Sequence, residues 1–328
     1  MSIDWHALKS VLDNANKVVL TSHIRPDCDA LGSELGMAGL LEQMGKHVRI
    51  VNGEETPSNL AFIDPENRIM CIGQDIQPDE LMDADLWMIL DTSAWAQLGP
   101  MGDVIRSFTG KKIIFDHHVG EDDLDATPFK ETTAEATGRL VVDATEAFGM
   151  QLTPEMATPL FAAIATDTGW FRFPSVRFVT YDVAAKLIDA GASPAGIYAD
   201  LYERETVGRL RLRGLVLNRI RTELDGRFAH TYILKEDFTE TGALPTDTED
   251  LVNHCLEIQG TKFAVIMIEQ PTGGFKISFR SRCDVQCNLV AGEFGGGGHK
   301  AAAGAFLKGP FSDVSPLVLN HVRSELAR

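Results

Sequence analysis

The chain has 328 residues, more than one hydrophobic core ordinarily spans, so two domains are expected. With 44% apolar and 23% charged residues it has the composition of a globular protein, and no apolar run is long enough for a bilayer, which argues against a membrane partner. A formal net charge of −17 excludes a broad basic surface for long duplex nucleic acid, yet a short nucleotide can still bind where the site is locally positive or carries cations.

The N-terminal stretch MSIDWHALKSVLDNANK has no basic segment leading into an apolar one, which predicts a cytoplasmic protein. KVVLTS (17–22) reads as a strand, followed by a loop and a helix over 30–45. HVRIVN (47–52), DLWMILDTS (85–93) and KKIIFDHH (111–118) are further strands. Their near-continuous apolar runs suit parallel strands buried on both faces. Thr132 and Glu135 have capping-box spacing before a helical stretch ending near Gly149. Thr153-Pro154 reads as an N-cap and first helical position for the next helix, and 179–192 is a helix stopped by glycine. Strand–helix alternation on this scale predicts a doubly wound, mostly parallel α/β domain over 1–194.

Residues 195–224 are helical in pattern and rich in charge, and read as a connector. The remainder, 225–328, begins at RFAHTYILKEDF and reads as a smaller α/β domain: a helix over 248–258, strands at KFAVIMIEQ and GFKISFRSR, a short helix, and the glycine run GGGGHKAAAG. The five scattered cysteines describe no disulfide framework.

Candidate chemistry sits at the ends of the predicted elements. His23, Asp27 and Asp29 directly follow the first strand. Asp91 closes the strand DLWMILD. Asp116, His117 and His118 close IIFDHH, and Asp167 closes an apolar helix. Each cluster alone has a bland alternative, a solvated turn, a helix cap or a surface pair. Together they point to one shared site, because ligands of open α/β sheets bind beyond the carboxyl ends of strands. Oxygen ligands mixed with imidazole favour Mn²⁺ or Mg²⁺. So many carboxylates imply two ions, about 3.5–4 Å apart, with a bridging carboxylate. Such a pair suits activation of a hydroxide for in-line attack at phosphorus.

These residues also carry a family resemblance. His23-x-x-x-Asp27-x-Asp29 with Ala30-Leu31-Gly32-Ser33, then Asp91-Thr92-Ser93, Asp116-His117-His118 and Asp167-Thr168-Gly169 resemble, in order, four motifs of the DHH phosphoesterases. Gly295-Gly296-Gly297-Gly298-His299, continuing to Ala303-Gly304, resembles the DHH-associated domain. The resemblance implies a metal-dependent phosphoesterase whose active site lies in the cleft between its two domains. The layout is most similar to the bacterial nanoRNase/oligoribonuclease branch, whose members also act on 3′-phosphoadenosine 5′-phosphate or on cyclic di-AMP and its linear product. By matching position, His23, Asp27 and Asp91 would hold one Mn²⁺ and Asp29, Asp91, His117 and Asp167 the other, with Mg²⁺ as the alternative metal. Asp91 would bridge, His118 would lie near the scissile phosphate, and Asp116 would orient a histidine. The expected partners are short RNA oligonucleotides or nucleotides, and related proteins are often homodimers. Cys28 stands where the family more often has glycine, and reads as a tolerated small side chain.

In FKISFRSR, Lys276, Ser278, Arg280 and Arg282 alternate onto one face. The plain reading is a solvated strand face. The nearby glycine run shifts it toward an anion site in which Arg280, Arg282, Gly296, Gly297, Gly298 and His299 hold the terminal phosphate or base of a short substrate. The competing functions are a cyclic di-AMP phosphodiesterase, a pyrophosphatase or polyphosphatase, a long single-strand exonuclease and a non-catalytic nucleotide sensor. The filled ligand positions speak against the sensor.

Overall fold

The apolar runs of the first half assemble into one wholly parallel sheet in a computed structural model that describes residues 3–120 and 122–327. Its strands are β1 (Lys17–Thr21), β2 (His47–Asn52), β3 (Ile69–Cys71), β4 (Leu86–Leu90), β5 (Lys111–Asp116) and β6 (Thr127–Lys130), in the order β3-β2-β1-β4-β5-β6. The chain winds outward from β1 to β3, then restarts at β4 on the other side of β1. That reversal opens a crevice at the carboxyl ends of the central strands. Side chains alternate between two buried layers: Leu86, Met88 and Leu90 of β4 enter one core, Trp87 and Ile89 the other. Burial on both faces is why these runs carry no polar alternation.

Among the described residues seven α-helices accompany this sheet: α1 (Trp5–Asp13), α2 (Cys28–Gln43), α3 (Pro100–Ser107), α4 (Thr137–Ala147), α5 (Pro154–Asp167), α6 (Phe178–Asp189) and α7 (Pro194–Tyr202). Glycines let α2 and α5 approach as an antiparallel pair. A Cβ on Gly32 would stand 2.3 Å from the Pro159 carbonyl oxygen, and one on Gly36 2.5 Å from Leu160. This contact sets the first turn of α2 beside the last turn of α5.

Two local expectations fail for identifiable reasons. The helix expected behind a Thr132–Glu135 capping box begins only at Thr137, and Ala136 before it offers no capping side chain. The cap comes instead from Asp29, whose carboxylate accepts from the backbone N–H groups of Thr137 at 2.7 Å and Gly138 at 2.8 Å. The helix expected over 248–258 is broken at Asp250, which is left-handed with φ 62°. Thr153 does precede α5, yet its hydroxyl caps no backbone N–H.

The chain divides into compact units between Arg204 and Glu205. The second unit has strands β7 (Arg221–Glu223), β8 (Phe228–Ile233), β9 (Phe263–Glu269), β10 (Phe275–Ser281), β11 (Gly297–Gly298) and β12 (Ala302–Leu307), ordered β11-β12-β10-β9-β8-β7. The β8–β9 pair is parallel and the other pairs antiparallel. Its helices are α8 (Val207–Asn218), α9 (Lys235–Thr241), α10 (Asn253–Leu256), α11 (Cys287–Gly292) and α12 (Phe311–Leu326). Phe275, Ile277 and Phe279 pack with α11 and α12 on one face, and Ala264, Ile266 and Ile268 with α8 and α10 on the other. Among the described residues no helix is long and apolar enough to cross a membrane.

Candidate metal centre

Three neighbouring strands deliver the site. β1 leads into Ser22 and His23, β4 into Asp91, and β5 ends at Asp116 before His117 and His118. The start of α2 adds Asp27 and Asp29, and the end of α5 adds Asp167. Asp91 is left-handed, with φ 58°, a conformation that aspartate tolerates better than most side chains. Its N–H donates to the Phe115 carbonyl at 3.1 Å and its Oδ1 accepts from the Thr137 hydroxyl at 2.9 Å.

The donor atoms form overlapping groups: His23, Asp27 and Asp91; Asp29, His117 and Asp167; and Asp91, His117 and His118. His23 Nε2 is 3.5 Å from Asp91 Oδ2 and 4.0 Å from Asp27 Oδ1. His117 Nε2 is 3.7 Å from Asp91 Oδ1, 3.7 Å from Asp29 Oδ2 and 3.6 Å from Asp167 Oδ2. These separations are too long for hydrogen bonds. They suit donors sharing an ion, which at bond lengths of about 2.1 Å stand roughly 3–4 Å apart. The two oxygens of Asp91 face different groups, as a bridging carboxylate requires.

The imidazoles are prepared for this. The carbonyl of Ile24 accepts from His23 Nδ1–H at 2.9 Å, and that of Ala134 from His117 Nδ1–H at 3.1 Å, so each Nε2 keeps its lone pair for a cation. His118 donates Nδ1–H to Asp116 Oδ1 at 2.8 Å, and its half-exposed ring meets the His117 ring edge to face, with centroids 4.5 Å apart. The bond from Asp116 raises the His118 pKa, favouring the imidazolium. Burial pushes Asp116 up, but the His118 ring, its N–H and Lys130 at 3.1 Å outweigh this and hold Asp116 at about 2.

The unlike case is the cluster itself. Asp29 and Asp91 are each 2% exposed. Burial raises both, and Asp29 and Asp27 push Asp91 further. Burial, then Asp29, brings Asp167 to about 6. Carboxylates packed this way repel unless protons or cations intervene. The donor set therefore fits divalent metal.

Several supporting residues were not singled out from the sequence. Thr137 and Gly138 clamp Asp29, with Ser33 adding a hydroxyl at 3.2 Å. Asn52 Oδ1 accepts from the Ser22 N–H at 2.9 Å, beside His23, and its amide donates to Glu34 at 2.9 Å. Burial lifts Glu34 to about 8, so this acid is neutral at ordinary pH. Polar residues inside an otherwise apolar helix were the available signal for Ser33 and Glu34; nothing local marks Thr137. Cys28 is buried, and burial raises its thiol to about 12, leaving it inert.

In the second unit, Lys276, Ser278 and Arg280 lie opposite Ile268, Ile266 and Ala264, hence on one face of β10. Arg282 lies past the strand end, and its guanidinium donates to the Leu256 carbonyl at 2.9 Å. Gly297 and Gly298 form the edge strand β11. The Gly296 N–H donates to the Ala291 carbonyl at 2.9 Å, and a Cβ there would stand 2.1 Å from the Gly304 carbonyl oxygen, so this glycine serves packing against β12. His299 is exposed, and its N–H donates to Ala302 at 2.7 Å.

Comparison with known proteins identifies the family. The profile described as "DHH family, N-terminal domain" matches residues 17–164, and "DHHA1 domain" matches 225–327. A Thermus thermophilus protein named bifunctional oligoribonuclease and PAP phosphatase NrnA is 30% identical over 95% of this chain and 90% of its own length. A Bacillus subtilis protein of the same name is 26% identical over 88% of each chain. The crystal structure of an exopolyphosphatase-related protein from Bacteroides fragilis superposes with a TM-score of 0.81 at 27% identity, covering 98% of this chain and 95% of that one.

Proposed function

This chain belongs to the DHH phosphoesterase family, and we propose that within it the protein is a Mn²⁺-dependent hydrolase of short oligoribonucleotides and of 3′-phosphoadenosine 5′-phosphate. The observation that carries the reading is Asp91, whose Oδ2 faces His23 and whose Oδ1 faces His117. His23, Asp27 and Asp91 would hold one cation, and Asp29, Asp91, His117 and Asp167 the second. When bound, the pair supplies charge neutralisation at the phosphate and a lowered pKa for the attacking water.

The chain's own residues do the rest. The N-terminus of α4 fixes Asp29 in one orientation, so the carboxylate needs no reorganisation when substrate arrives. Asp116 holds the His118 ring by Nδ1 and favours its protonated form, leaving Nε2 to donate to a phosphate oxygen. In the second unit Arg280, Arg282, Gly296, Gly297, Gly298 and His299 bind the substrate's terminal phosphate or base. A contact to a part of the substrate that does not itself react acts mainly on affinity. The relatives named as oligoribonucleases and PAP phosphatases favour this substrate class.

The test is a product assay with Mn²⁺ in which pApA, 3′-phosphoadenosine 5′-phosphate, cyclic di-AMP and pyrophosphate are offered side by side. Mononucleotides from pApA and phosphate from the bisphosphate are expected. Turnover of pyrophosphate alone, or tight nucleotide binding without turnover, would overturn the reading.

A further inference from the structure

The groups described so far in the first unit hold metal and a phosphate, and none of them reads a base. A pocket of about 480 Å³ within the first unit opens beside the metal ligands. Asp27 and Asp167, drawn from the two different ligand groups, form part of its wall. Its floor is apolar: Leu60 is buried, and so is the inert Cys28. The wall also carries Arg25 and Asn59, both exposed.

These two side chains are unengaged. Among the described residues neither the Arg25 guanidinium nor the Asn59 amide makes a hydrogen bond or ion pair with the protein, although the Arg25 backbone is held firmly. Its φ is 53°, in the left-handed region, and its N–H donates to Glu54 at 2.7 Å. A side chain presented from a constrained backbone, with no partner of its own, is positioned for a ligand. Asn59 sits on the short 3₁₀ helix Ser58–Ile63, against which α7 packs.

We propose that this pocket receives the nucleobase of the nucleoside joined to the scissile phosphate, with Asn59 reading the base edge and Arg25 lying against its plane. This rests on the phosphoesterase reading above and names the substrate part that the first unit recognises. The chemistry matches at each point. A carboxamide presents one donor and one acceptor side by side, the pattern that pairs with the adenine edge. A guanidinium plane stacks on unpaired bases, which is how single-stranded nucleotides are commonly held. A pocket with a small apolar floor and few convergent polar groups is the usual form of such a site. Its opening at Asp27 and Asp167 sets the base next to the phosphate and not at the far end of an oligomer.

The experiment compares kcat/KM for pApA with that for bis(para-nitrophenyl) phosphate, a diester without a base, in Mn²⁺-loaded full-length protein. Asn59→Ala and Arg25→Ala are measured beside the wild type. Loss of one bidentate base contact predicts a fall of about tenfold in the ratio for Asn59→Ala, mostly through KM. Arg25→Ala lowers the same ratio. A ratio unchanged in both variants overturns the base pocket while leaving the phosphoesterase standing. A wild type that cleaves neither diester overturns the phosphoesterase reading itself, and the pocket with it.

Discussion

Both units set polar groups just beyond strand ends of a six-stranded sheet, and they do it under opposite electrostatic conditions. In the first, Asp29 and Asp91 are 2% exposed and burial drives their pKa values up. In the second, Arg282 and His299 are exposed and lean on backbone groups through Arg282 Nη1 to Leu256 and the His299 N–H to Ala302. Buried like charges are unstable by themselves and require an ion, whereas exposed cations and glycines are stable as they stand. Chemistry and affinity are therefore expected to separate by unit.

The sharpest way to break this division is Asp91→Asn. Asparagine tolerates the left-handed backbone at φ 58° and keeps the Thr137 hydrogen bond, so the fold is retained while the bridging charge is lost. We expect kcat for pApA to drop by about a thousandfold or more, the upper range for one electrostatic group. The midpoint of the metal-free protein's thermal melt should not fall, because a repulsion has been removed. A large drop in that midpoint would mean that Asp91 is structural.

Gly32 and Gly297 compare glycines of the two units. A Cβ at Gly32 meets the Pro159 carbonyl at 2.3 Å, so Gly32→Ala should destabilise the first unit by about 1–3 kcal/mol. A Cβ at Gly297 meets nothing within 4 Å, so Gly297→Ala should change stability by less than about 0.5 kcal/mol and act, if at all, on KM. All four tryptophans (Trp5, Trp87, Trp95 and Trp170) lie in the first unit, so tryptophan fluorescence follows its melting separately. A fluorescence transition unaltered by Gly32→Ala would contradict the close α2–α5 contact.

Arg282→Ala tests the second unit. KM for pApA is expected to rise by about tenfold with kcat little changed, as for a uniform binding contact. An equal loss in kcat would move Arg282 into the chemistry.

Titration gives the smallest contrast. Burial and neighbouring carboxylates raise Asp91 and Asp167, the latter to about 6, so the metal-free first unit holds more protons folded than unfolded. Its stability from these groups rises as pH falls through about 6 toward the unfolded value near ~4. Glu223 behaves oppositely: hydrogen bonds from Arg323 hold it at about 2, so its contribution is complete above about 4.5 and lost as pH falls toward 2. Fluorescence melts should show a higher midpoint at about pH 5.5 than at about pH 8 without metal, and a larger gain from Mn²⁺ at the higher pH. A gain from Mn²⁺ that does not depend on pH would argue that these carboxyls are already ionised.

The sequence alone determined the central strands and the residue types at their ends. A parallel strand buried on both faces must be a short apolar run, and it must stop where polar residues begin, so β1, β4 and β5 and the groups at His23, Asp91 and Asp116 to His118 are legible from order and composition. β3 and β6, at three and four residues, are too short to show a period. Tertiary structure decided the partners. Asp29 caps α4 across 108 residues, in place of the local box at Thr132, because a carboxylate from another element reaches those N–H groups when α2 and α5 close on their glycines. The strand order β1-β4-β5 sets Asp91 between His23 and His117, so its two oxygens face different histidines. Spacing along the chain carries no record of such meetings, since they depend on how helices pack on the sheet and not on any local preference.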